Sequence, residues 1–136
     1  MNPPVDPKFQ DNRLDTQHEL PDPQTIEDEW VAVQGALRGL IGSKTPDLQA
    51  ALYLLGLRIR GWGPGRYTKE QKQDLMNLAC CQVLSLSGYF KASAYDADGW
   101  PIWEQRKGLP PYDLATQERL LKHHVYLYCD HEGLLV

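Results

Sequence analysis

Three cysteines and four histidines are the residues of this 136-residue chain best able to act as nucleophiles, bases or metal ligands. Cys80 and Cys81 are adjacent, as are His123 and His124, and Cys129 stands two residues before His131. Neighbouring helical positions point about 100° apart, so Cys80 and Cys81 do not face one metal together. No CxxC or HxxxH spacing completes a zinc set, and neither a metal nor any other cofactor is expected. A thiol enzyme using Cys81 or Cys129 with His123 or His124 is one reading of the same residues. It lacks a glycine elbow or oxyanion loop, and buried thiols are ordinarily inert. Asp96, Asp98 and Gly99 invite comparison with a calcium loop, but aligning Gly99 with the loop glycine puts Ala94 and Gln105 at the two principal carboxylate positions. A hairpin turn accounts for them better. Gly61 to Gly65 leads from helix to helix without the Lys-Ser/Thr ending of a phosphate cradle. No catalytic residues are assigned.

Two groups of residues suggest binding instead. Arg58, Arg60, Arg66, Lys69 and Lys72, with Trp62 and Tyr67 among them, form the one basic cluster, spanning residues 58–72. Basic residues interleaved with aromatics suit phosphate backbones or an acidic protein segment. Dipole complementation at one helix end, followed by solvated lysines at the start of the next, explains them better. Tyr89, Phe90, Tyr95, Trp100 and Trp103 are the densest aromatic group. Alternation along a strand puts Trp100 and Ile102 on one face, Pro101 and Trp103 on the other. Exposed Trp and Tyr beside a polar rim are typical of protein interfaces.

These residues must be positioned by helices and one hairpin. Residues 67–88 read as a central helix opened by a Thr68/Gln71 capping box and closed by Gly88. Leu75, Leu78, Ala79, Val83 and Leu86 make one apolar stripe, Met76, Cys80 and Leu84 a second. A first helix is expected from Thr25 to about Gly42, facing the core with Ile26, Trp30, Val33, Leu37, Leu40 and Ile41. Glu27, Asp28 and Glu29 fall in its opening turn, and Gly35 and Gly39 hint at a close helix contact. A second helix starts with Thr45 as cap and Pro46 at the first helical position. Its stripe is Leu48, Leu52, Leu55 and Ile59, with Gly56 marking a close crossing. Residues 89–106 alternate as a β-hairpin around Asp96-Ala97-Asp98-Gly99. Asp113 caps a last helix to about Cys129, with Leu114, Gln117, Leu121, Val125 and Tyr128 on one side, widened by Leu120, His124 and Leu127. Leu134, Leu135 and Val136 are apolar enough to dock. The fold class is α+β, predominantly α: about four helices around 67–88 with one hairpin.

Charge separates the chain into two parts. Residues 1–30 hold eight acids and two bases, whereas residues 31–136 hold ten acids and twelve bases. Residues 1–24, rich in proline, read as an acidic, mobile lead-in to a single globular domain at 25–136. No apolar run approaches the ~20 residues of a membrane span, and the first residues lack the basic-then-apolar pattern of a secretory signal. A cytoplasmic protein with reduced thiols and no membrane partner is the expectation.

The run from TPDLQAALYLLGLRIRG through RYTKEQKQDLMNLACCQVLSLSGYF and DADGWPIWEQRKGLPP to QERLLKHHVYLY resembles a group of small conserved bacterial proteins of unknown function. The resemblance covers about residues 45–128 and rests on Lys69, Glu70, Lys72, Asp74, Asp98, Gly99, Trp100 and Pro101. It implies the element order and no activity. The residues themselves point to a non-enzymatic protein-binding or self-assembly module that uses Tyr89, Tyr95, Trp100 and Trp103 at a hairpin edge, a homodimer being one form. The alternative is nucleic-acid binding through Arg58, Arg60, Trp62, Arg66, Lys69 and Lys72.

Overall fold

A computed structural model describes residues 20–40 and 45–135. Most of the expected lead-in, the end of the first helix at Ile41 and Gly42, and Val136 lie outside the described residues. The order is α1 (Pro23–Arg38), α2 (Leu48–Arg60), α3 (Lys69–Ser85), β1 (Phe90–Tyr95), β2 (Pro101–Gln105) and α4 (Leu114–His131). This is the predominantly helical α+β fold expected.

Each helix starts on a side-chain cap that satisfies otherwise orphaned backbone N–H groups. Asp22 accepts from the Thr25 N–H, with Pro23 at the first helical position. α1 therefore opens two residues earlier than expected, and Glu27 to Glu29 fall beyond its first turn. Asp47, not Thr45, caps α2 by accepting from the Ala50 N–H. Pro46 precedes the cap and is buried, its ring serving the core. The Thr68/Gln71 capping box on α3 is complete in both directions. Asp113 caps α4 through the Thr116 N–H. α3 ends at Ser85, and a further turn leads to Gly88 at φ 81°, where the chain swings into β1.

The helices pack as two pairs: α2 against α3 most extensively, then α1 against α4, with α3 joining the pairs by touching α4 and β1. Ile26, Trp30, Val33 and Leu37 of α1 recur at four- and three-residue steps and are all buried. Leu40, expected on that stripe, lies past the helix end and is 64% exposed. Gly56 makes the α2–α3 crossing possible. A Cβ there would lie 2.2 Å from the Leu75 carbonyl oxygen. Gly35 and Gly39 have no atom of the described residues within 4 Å of a Cβ position and mark no helix contact among them. α4 buries Leu120, His124, Val125, Tyr128 and Cys129. Leu114, in its overhanging first turn, is 83% exposed. Leu134 and Leu135 fold back on the core, held by the Leu134 N–H bond to the Cys129 carbonyl.

The hairpin pairs Phe90 with Gln105, Lys91 with Glu104, Ala92 with Trp103, Ala94 with Ile102 and Tyr95 with Pro101. The register shifts between Ala92 and Ala94. Ser93 is the extra residue, and its hydroxyl donates to the Ile102 carbonyl. Bulges of this kind bend a strand and sharpen its twist.

Candidate binding groove

The hairpin turn is built from its own acid. Asp96 Oδ1 accepts from the backbone N–H groups of Asp98 and Trp100, both at 2.9 Å, and Gly99 closes the turn at φ 90°. This locks Trp100 just ahead of β2. Pro101 and Trp103 follow on the side of β2 that is half-buried, while Ile102 on the opposite side is 48% exposed. Trp100 thus joins Trp103 instead of Ile102, because it stands in the turn and escapes strand alternation.

Between the hairpin and α3 lies a groove of about 310 Å³. Trp100, Pro101, Trp103 and Asp96 form one wall, and Asp74, Asn77, Leu78 and Cys81 form the other. The α3 positions at Asp74, Asn77, Leu78 and Cys81 recur every three or four residues, so a single helix face supplies the wall. Asp74 is exposed and makes no ion pair with a described residue.

Arg60 fixes the hairpin from behind. Its Nη1 donates to the Gly99 carbonyl at 2.7 Å and its Nη2 to the Asp98 carbonyl at 3.1 Å. The guanidinium lies 4.5 Å from the Trp100 ring centroid and 5.0 Å from that of Trp62, in the corner made by two edge-on indoles. Its Nε is buried there without a hydrogen-bond partner among the described residues. Trp62 also stacks on Tyr67, whose hydroxyl donates to the Gly63 carbonyl. The Gly-rich loop is therefore a packed connection holding the end of α2 to the hairpin.

The expected site residues are thus divided. Trp100 and Trp103 are brought together in the groove. Tyr95 is 67% exposed at the end of β1. Tyr89 is 2% exposed, packed under the Lys107 ammonium and edge-on to His124, so it belongs to the core and to no outer surface. The basic cluster is partly spent internally. Arg60 serves the turn, Arg58 lies 3.6 Å from Glu132, and Trp62 is half-buried against Tyr67, Trp100 and Arg60. Arg66, Lys69 and Lys72 remain exposed, without an ion pair to a described residue.

Residue spacing did not reveal a pair between half-buried Ser87 and buried His124. His124 Nδ1 lies 2.8 Å from the Leu120 carbonyl, which can only accept, so Nδ1 carries the proton. Nε2 then accepts from the Ser87 hydroxyl at 2.7 Å. Burial pushes the imidazole down to about 4, which makes it a poor base at neutral pH. His123, beside it, donates from Nδ1 to Glu29 at 2.8 Å and ties α4 to α1. Cys81 and Cys129 are both pushed up to about 11, chiefly by burial, so thiolate is scarce at either. No hydrogen bond among the described residues joins a thiol to a histidine. Nor does any group of three His, Cys, Asp or Glu among the described residues stand ready to hold a metal. No helix among the described residues is long and apolar enough to cross a membrane.

No family of known proteins matches the chain, and neither curated proteins nor solved structures give a match.

Proposed function

We propose that this chain is a non-enzymatic binding module, with the groove between α3 and the β-hairpin as its contact surface for a protein partner or a second copy. The observation that carries this reading is the pairing of Trp100 and Trp103 in one open groove with polar groups at its margin. Large rigid aromatics that stay half-exposed in the free protein are the residues that contribute most when an interface closes over them. The nucleic-acid alternative is weaker, because Arg58, Arg60 and Trp62 are engaged within the fold.

Light scattering on size-exclusion fractions of the full-length chain, over a concentration series, tests self-association. If a dimer forms, Trp103→Ala is expected to return it to monomer while leaving the helical circular dichroism unchanged. If the chain is monomeric, proteins retained from a native lysate by the parent chain should be lost with Trp103→Ala. Association that persists in that variant removes the groove from the proposal.

A further inference from the structure

The groove has a chemical character beyond being a contact surface. Its lining contains two acidic side chains, Asp74 on α3 and Asp96 on the turn. Asp74 has no ion-pair partner among the described residues. Asp96 commits Oδ1 to the turn's backbone N–H groups. No cationic side chain among the described residues lines the groove; Arg60, packed on Trp100, is held at the Asp98 and Gly99 carbonyls. The rest of the lining is mostly apolar: Trp100, Pro101, Trp103 and Leu78.

Carboxylates beside indoles suit one type of ligand, an organic cation on an apolar stem. The carboxylate takes the charge, the ring takes the cation's face, and the walls take the methylenes. The fold already contains an example of this recognition where Arg60 packs on Trp100. A wholly apolar segment would cover two carboxylates without pairing them, which is unfavourable. An anionic segment or a phosphate backbone would be repelled by both. We propose that the groove receives a lysine or arginine side chain presented by an extended segment of a partner protein, its charge paired with Asp74 and its stem against Trp103. This rests on the binding-module reading and names the partner's chemistry.

The test uses the full-length chain labelled with ¹⁵N and three capped heptapeptides of alternating threonine and valine. The central residue is arginine, lysine or norleucine, the last having an apolar stem without charge. Saturable shifts of the Trp100 and Trp103 indole N–H signals are expected with the arginine or lysine peptide. The norleucine peptide should bind about fivefold more weakly. Asp74→Asn, an exposed and nearly isosteric change, should weaken the charged peptide about threefold without moving the thermal midpoint. Equal binding of the norleucine peptide would overturn charge recognition. An absence of shifts with all three would overturn the groove assignment. The Trp103→Ala association measurement decides the binding-module reading separately, so the two failures are distinguishable.

Discussion

At Gly56 the missing side chain is what the structure uses. A methyl group there would collide with the carbonyl carbon, the carbonyl oxygen and Cβ of Leu75, and backbone does not swing aside as a side-chain tip can. Gly56→Ala should force α2 and α3 apart and cost about 3 kcal/mol, read as a lowered urea midpoint. Gly35→Ala is the control with the opposite sign. No described residue lies within 4 Å of its Cβ position, so the variant should gain about 0.5–1 kcal/mol from helix propensity. His124 gives the chain a pH dependence of known direction. Its folded value lies near 4 against 6.5 for a free imidazole, so below 6.5 the unfolded state binds the proton more tightly. Stability is full above about pH 6.5 and falls as pH drops toward 4, by about 3 kcal/mol in all. Urea midpoints measured from pH 7.5 to 4.5 should slope accordingly, and the slope should shrink in His124→Gln.

Among the elements, the hairpin depends most on help from outside itself. Two strands alone are marginal in water, and these pack on α3 through β1 while Arg60 holds their turn. Lysine cannot reproduce two parallel donors and a planar stack. Arg60→Lys should therefore raise amide hydrogen exchange across Phe90–Tyr95 and Pro101–Gln105, with the cores of α1 and α4 still protected. Uniform protection across the chain would show that the tie is dispensable. Local chemistry made much of this level legible from residue types. Thr68 and Gln71 meet within one turn, and Asp96 and Gly99 within another, so spacing alone locates them. Thr45 and Asp47 are both competent caps two residues apart. The choice fell to Asp47 because Pro46 is drawn into the core, a decision made by packing.

Over the whole molecule, the four helices form two pairs joined through α3, and periodicity identified most of the buried face of each. It overextended at the ends: Leu40 continues its stripe past the end of α1, and Leu114 opens α4 at an exposed position. The groove was only half legible. Tryptophans on a hairpin suggested a surface, but strand alternation separated Trp100 from Trp103, and nothing local indicated that α3 would supply the opposite wall. Arg60 reaches a turn 38 residues away and Ser87 a histidine 37 away. Contacts at such separations depend on tertiary packing, which no short window of residues encodes. The same distances explain why the basic cluster divides, Arg58 and Arg60 taking contacts within the fold while Arg66, Lys69 and Lys72 stay exposed.

The irregularities of the hairpin also bear on how large any assembly of this chain can become. Open strand edges are templates for runaway stacking of one molecule on the next. Here β1 is interrupted at Ser93 by the bulge and carries Lys91 outward, while β2 begins on Pro101, which has no N–H to offer a newcomer. With strands of six and five residues, neither edge presents a long flat run of backbone. Growth by strand addition is thereby blunted on both sides, so association through the proposed groove would rest on side chains. Concentrated solutions should accordingly hold discrete complexes and resist conversion to fibrils.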